Sequence, residues 1–237
     1  MRQLIVDTET TGLDPVLGHR IIEFAALEMI DRKLTGHSLH LYINPERAID
    51  PAAIKIHGIK DEDVLDKPVF KDIVKEIIAY IAGAELIIHN AKFDLNFMDY
   101  QFKLEGMGPT DDYTMGVTDT LLMARQKFPG SKNSLDALCD RFSIDRSNRD
   151  YHGALIDCHL LAYVYLALTR EQISLLNSEI MANTVENYQF VKVESTRLNL
   201  KVLSPTPEEA KLHTDYLSTL DKLTHGQSAW FNKIKNS

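Results

Sequence analysis

Gln3-Leu4-Ile5-Val6-Asp7-Thr8-Glu9-Thr10-Thr11-Gly12 decides how the rest of the chain is read. Its apolar centre predicts a buried strand over residues 3–8, and Thr10-Thr11-Gly12 is a turn signal. Alternation along a strand puts the side chains of Asp7 and Glu9 on one face. Carboxylates that close repel by about 4 kcal/mol at ~4 Å and an effective dielectric of ~20. A hard divalent cation relieves that repulsion, because such ions prefer oxygen ligands. Taken alone, an Asp-x-Glu pair is more often two solvated charges at a strand end.

Working outward, residues 21–29 and 38–43 read as two more strands, joined by the charged, Gly-containing stretch 31–36, so the chain begins as a meander. Apolar residues at 70, 73, 74, 77, 78 and 81 follow a helical period that Gly83 closes. A short strand at 86–88, a helix at 93–104 and a last strand at 116–118 come next. Helices are then predicted near 120–127, at 135–142 with Ser134 as N-cap, and at 154–168. Antiparallel strands followed by strand–helix alternation predict an α/β protein, a mixed central sheet flanked by helices.

The 237 residues suffice for a buried core, and 44% hydrophobic with 25% charged residues is ordinary for a globular protein. The two cysteines, Cys139 and Cys158, point to a reducing compartment. No apolar run approaches the ~18 residues of a membrane helix. The run Leu4–Val6 is too short for a signal peptide, so the expected location is cytoplasmic. The net charge is −8, and residues 170–237 carry eight charges of each sign, so the excess lies in residues 1–169. An acidic body argues against free-standing tight binding to nucleic acid, but not against an enzyme that meets phosphate through metal ions.

Three further residues stand out. Asp94 lies in Asn90-Ala91-Lys92-Phe93-Asp94, at a strand-to-helix junction, where an acid is usually a dipole-compensating residue. Asp157 is in phase with Leu161, Val164 and Leu168 on an apolar helix face, where an unpaired charge is costly. His152 belongs to the loop just before that helix, within reach of Asp157.

Asp7-Thr8-Glu9-Thr10-Thr11-Gly12, Asn90-x-x-Phe93-Asp94 and His152 with Asp157 occur in this order over residues 3–168. In this the sequence resembles the DEDDh family of 3′→5′ exonucleases, which implies a ribonuclease-H-like fold. The resemblance implies that Asp7, Glu9, Asp94 and Asp157 hold two divalent ions, Mg²⁺ or Mn²⁺, about 4 Å apart. It makes His152 the general base, a task that an imidazole's ordinary pKa of about 6.5 suits. Thr10, Thr11, Gly12, His57, Asn90 and Phe93 become candidates for the pocket of the 3′-terminal nucleotide, His57 through the segment His57-Gly58-Ile59. A mispaired end frays more readily, so a single-stranded or frayed 3′ end of DNA suits such a site.

The core alone does not separate proofreading of DNA from trimming of RNA by a free-standing ribonuclease, nor from a non-catalytic assembly subunit. The rest of the chain does. Gln172-Ile173-Ser174-Leu175-Leu176 resembles a sliding-clamp binding pentapeptide, with Leu176 where Phe is common. Residues 177–197 are polar and read as a linker, and Leu198, Leu200 and Val202 alternate as in a short strand. Thr206-Pro207-Glu208-Glu209 is then a strong helix start with a capping box. Leu212, Tyr216, Leu220 and Leu223 share one face of that helix, which Gly226 can end, and Trp230 and Phe231 follow. The expected organisation is an exonuclease domain at 1–169, a clamp-binding motif and linker at 170–203, and a polymerase-binding segment at 204–237, the last two forming a flexible extension. This layout is similar to that of the proofreading subunits of bacterial replicative polymerases. It implies the catalytic alpha subunit of the replicase as a partner beside the clamp, and leaves room for a small third core subunit.

Overall fold

The computed structural model describes residues 1–146, 152–170 and 205–223. Residues 1–170 form a five-stranded mixed sheet in the order β3-β2-β1-β4-β5. Its strands are β1 (Arg2–Thr10), β2 (Ile21–Ile30), β3 (Lys33–Tyr42), β4 (Glu85–Ile88) and β5 (Gly116–Asp119). The first three pair antiparallel, and β4 and β5 run parallel to β1. The helices are α1 (Pro51–His57), α2 (Asp61–Val64), α3 (Phe70–Ile81), α4 (Ala91–Leu104), α5 (Thr120–Lys127), α6 (Leu135–Phe142) and α7 (Ala154–Leu168).

Period-2 alternation along β1 divides the core in two. Leu4 and Val6 pack with residues of α3 and α4, such as Ile77, Phe97 and Phe102. Ile5 faces the other way, onto Ala154, Cys158, Leu161 and Ala162 of α7. On its far side α7 packs through Leu160, Val164 and Leu168 against Leu138 and Cys139 of α6. Being covered on two sides, α7 is apolar nearly all round, which makes the buried Asp157 conspicuous (5% exposed).

The meander, α3 and the α5–α6–α7 run follow the sequence expectation, and Ser134 accepts the Ala137 N–H as the N-cap of α6. Three differences have local causes. The strand expected at 38–43 begins at Lys33, because the connection is only the two-residue turn Asp31-Arg32, both with positive φ (50° and 64°). That is the left-handed pair a type I′ hairpin needs. The polar start of β3 is tolerated because β3 is an edge strand, mostly exposed. Helix α4 starts at Ala91, two residues early. The short α1 and α2 have no counterpart in the sequence reading; α1 opens on Pro51 and ends on Gly58, left-handed at φ 74°.

Residues 207–223 form α8 (Pro207–Leu223), which belongs to a separate unit and is described by itself. The expected capping box is present. Glu209 accepts from the Thr206 N–H at 2.8 Å, and the Thr206 hydroxyl accepts from the Glu209 N–H at 3.2 Å. Leu212 and Tyr216 are exposed and Leu217 is buried. The pentapeptide Gln172–Leu176, the expected linker and strand, Gly226, Trp230 and Phe231 lie outside the described residues, as does the expected boundary between residues 203 and 204. No helix among the described residues is long and apolar enough to cross a membrane.

Candidate active site

The acids converge because the central strand β1 ends where α4 and α7 begin. In β1 the alternation that sends Ile5 toward α7 sends Asp7 and Glu9 to the same side, past the last apolar layer. Parallel pairing of β1 with β4 (Ile5 opposite Ile87) brings the start of α4 alongside the end of β1. There Asp94, 3% exposed, accepts both the backbone N–H of Thr8 (3.1 Å) and its hydroxyl (2.7 Å) on one oxygen. Helix α7 supplies Asp157 from its first turn.

His152 sits two residues before α7, on the loop, as expected. Its backbone N–H donates to the Ile56 carbonyl of α1 at 3.1 Å, and its Nδ1 lies 3.3 Å from Asp157 Oδ2. The imidazole is about half exposed, while Asp157 is buried. One ligand atom each from Glu9, His152 and Asp157 fall within 4.8 Å of one another.

This much negative charge in a partly dehydrated place raises carboxyl pKa values. Burial pushes Asp7 well above the usual carboxylate range, and Asp94, Glu9, Asp157 and Glu23 push it further. Asp94 is pushed up to about 7 by burial, against the opposing pull of the Thr8 hydrogen bonds. Protons thus compete for these carboxylates in the metal-free protein, and a cation would displace them.

Two cavities flank the acids. A smaller one of about 310 Å³ is lined by Glu9, Thr10, Gly12, Leu13, His57 and Phe93 among others. A more polar one of about 500 Å³ is lined by Asp7, His89, Asn90, Arg125, His152 and Asp157 among others. Of the residues expected to hold the terminal nucleotide, Thr10, Gly12, His57 and Phe93 therefore share one cavity, and Asn90 faces the other. Thr11 lines neither. It is fully buried, and its hydroxyl accepts from the Arg20 N–H (3.0 Å) and meets His19 Nδ1 (3.1 Å), fixing the turn instead. Phe93 serves both the core, against Phe97, and the cavity wall. His57 is buried; the Ile59 N–H donates to its Nδ1, and burial lowers its pKa, so the ring is neutral with its proton on Nε2.

Sequence reasoning missed Glu23. It stands opposite Glu9 in the β1–β2 register and is 2% exposed. One oxygen accepts from His40 Nε2 at 2.7 Å and the other from the Ala154 N–H at 3.1 Å, capping α7 where Gly153 has no side chain to do so. An acid inside the apolar run Ile21-Ile22-Glu23-Phe24-Ala25-Ala26 was the available signal, since buried charges need partners.

The Exonuclease family matches residues 4–165. The chain is 48% identical to DNA polymerase III subunit epsilon of Pasteurella multocida, over 98% of this chain and 94% of that protein. It is 44% identical to the subunit of the same name from Escherichia coli K12, over 93% of this chain and 94% of that one. Among solved structures it resembles Exonuclease X in complex with 5′ overhanging duplex DNA (TM-score 0.55, 28% identity, 71% of this chain and 92% of that one). It shares its fold with the nuclease domain of 3′hExo, a DEDDh family member (TM-score 0.62, 20% identity, 72% and 92%). A mixed sheet that gathers four carboxylates and a histidine at the end of its central strand, together with these relatives, places the chain in the Exonuclease family and, within it, among the DNA polymerase III epsilon subunits, as a 3′–5′ exonuclease.

Proposed function

We propose that this chain removes mispaired 3′-terminal nucleotides from DNA, with Asp7, Glu9, Asp94 and Asp157 as ligands for two divalent ions, Mg²⁺ or Mn²⁺. The observation that carries the reading is the meeting of Glu9, His152 and Asp157 within 4.8 Å, beside an Asp7 whose carboxyl is pushed toward the protonated form. Oxygen-rich donors with excess negative charge fit a hard cation. Held there, the ions would supply the positive charge that neutralises the scissile phosphate and would make a water acidic enough to give up its proton and attack.

The chain's own residues do the rest. Asp157 holds the His152 ring through Nδ1, which leaves Nε2 to take a proton from the attacking water. Exposure of the ring lets it return that proton to solvent. The smaller cavity, walled by Phe93, Ile56 and Leu13, suits the base and sugar of the terminal nucleotide, with Thr10 and His57 as polar contacts. The larger, more polar cavity beside Asn90 and Arg125 suits the strand leading up to the scissile bond.

The relatives support one partner and the sequence of the extension a second. The epsilon relatives' name supports a DNA polymerase III core, and we assign residues 204–237 to its alpha subunit. Exposed Leu212 and Tyr216 on α8 support that assignment. Gln172, Ser174, Leu175 and Leu176 are assigned to the sliding clamp. Contact with the polymerase explains how an acidic nuclease body is kept near DNA. The test is hydrolysis of a mismatched DNA primer against short RNA, with Mg²⁺, Mn²⁺ or a chelator. Metal-dependent removal of the mismatched nucleotide is expected; preference for RNA would support a ribonuclease, and no hydrolysis would support an assembly subunit.

A further inference from the structure

Helix α4 carries Asp94 in its first turn, and that turn lacks a cap of its own. The first N–H groups of a helix have no partner within it and are usually met by the side chain of the preceding residue. Here the preceding residue, Asn90, is left-handed (φ 63°, ψ 49°), and its side chain makes no capping bond. The acceptor comes from another element. Asp119, the last residue of β5, lies opposite Ile88 in the parallel register and reaches across to α4. Its Oδ2 accepts from the Ala91 N–H at 3.1 Å, and its Oδ1 accepts from the Asn90 N–H at 3.3 Å. The same Oδ1 accepts from Leu121 (2.8 Å) and Leu122 (3.2 Å), the first turn of α5.

One carboxylate thus closes two helix N-termini at once, where a negative charge also meets the positive ends of both dipoles. The neighbouring Thr120, fully buried, secures the same junction: its hydroxyl lies 3.3 Å from the Ile88 carbonyl and 2.9 Å from His89 Nδ1. The β4–α4 segment His89-Asn90-Ala91 is therefore held by two consecutive side chains at the β5–α5 junction. Asp94 follows three residues later, less than one turn away, and is held from the opposite side by Thr8 of β1. Its position is fixed between a hydroxyl on one strand and a carboxylate acting through the helix from another.

We infer that Asp119 is a positioning residue for the metal site. By clasping the start of α4 to that of α5 it holds Asn90 left-handed and sets where the Asp94 carboxylate stands relative to Asp7. This rests on the reading of Asp94 as a metal ligand. Asp119 itself is not one of the four proposed ligands and lines neither cavity beside the acids.

The clasp is distinguishable from an ordinary cap of α5. Serine caps a helix nearly as well as aspartate, but it offers one oxygen on a shorter arm and cannot serve both helices. Asp119→Ser should therefore keep α5 and lose the hold on Asn90 and Ala91. Asp119→Asn keeps the size and one acceptor, and turns an NH₂ group toward the N–H groups of one of the two helices. Calorimetric titration of the full chain with Mn²⁺ alone reads the effect without any turnover. Both variants should bind Mn²⁺ about tenfold more weakly, the lower end of what outer supports of a metal site contribute. Hydrolysis of single-stranded DNA should then recover toward wild type as Mn²⁺ is raised. If either variant folds and binds Mn²⁺ as tightly as the wild type, Asp119 is only a cap and the inference is overturned. A wild-type chain that takes up no Mn²⁺ would overturn the metal reading itself, and the role of the clasp with it.

Discussion

Thr8 gives two hydrogen bonds, from its backbone and from its side chain, to a single oxygen of Asp94, yet the Asp94 carboxyl still titrates near 7. Dehydration outweighs two good donors. The metal-free native state therefore holds a proton on Asp94 that the unfolded chain, with an ordinary carboxyl, releases about three pH units lower. Between pH ~4 and ~7 the native state binds more protons than the unfolded state, so stability falls as pH rises through that window. In chelator, the urea midpoint should decline from pH 5 to pH 7.5, and Asp94→Asn should make the decline shallower, with Asp7, also raised by burial, supplying the remainder. Saturating Mg²⁺ should abolish it in the wild type. A midpoint independent of pH without metal would show that Asp94 is ionised in the free protein.

His152 is expected to act in turnover. His152→Ala should lower kcat at neutral pH by ~10²–10⁴-fold, the usual share of a general base. Thermal unfolding should move little, because the ring is half exposed and the loop is held by its backbone bond to Ile56. Single-turnover hydrolysis of a 3′-labelled oligonucleotide reads the effect. An unchanged rate would assign the proton to another group.

Removing the Glu23 carboxylate should matter for stability first. Glu23→Ala leaves the Ala154 N–H and the His40 ring without their acceptor in a buried place, a loss of about 1–3 kcal/mol. Glu23→Gln keeps an acceptor and should lose less. Denaturant unfolding of the two variants measures the difference. Equal stabilities would mean that solvent replaces the missing acceptor.

Truncation after residue 203 tests the assignment of the C-terminal segment. Hydrolysis of free single-stranded DNA should be unchanged, while co-elution with the polymerase is lost. If the roughly 25 residues between Leu176 and Val202 act as the flexible tether we propose, they would span about 25–30 Å and give a local concentration near millimolar. If the shortened protein still co-elutes at micromolar concentration, the polymerase contact lies on the nuclease body.

Asp7, Glu9 and Asp157 were legible because each breaks a pattern, whereas Asp94 and His152 stood out only through the resemblance to a family. Asp7 and Glu9 interrupt an apolar strand, and Asp157 interrupts an apolar helix stripe. Asp119 and Glu23 were not legible, because the contacts that set them apart are to backbone N–H groups of Asn90, Ala91 and Ala154, 28 to 131 positions away. A backbone donor has no letter in the sequence. Helices α1 and α2 were missed for a different reason: seven and four residues are too few to display a helical period. The cavity walls were half legible. Thr10 and Thr11 are neighbours of the same type, and only the fold separates the one that lines a cavity from the one that fixes the turn behind it.

The hairpin turn at Asp31-Arg32 has a mechanical consequence. The Arg32 guanidinium donates to Thr169 Oγ1 at 2.6 Å and to the Leu166 carbonyl at 3.0 Å, and Lys127 Nζ reaches the Leu168 carbonyl at 3.3 Å. The last turn of α7 is thereby bolted to the sheet and to α5. Asp157 lies at the opposite end of the same helix, about 15 Å along its axis. A pull on the chain beyond Thr169 would meet these bonds before it reached Asp157, so the two ends of α7 are mechanically separated.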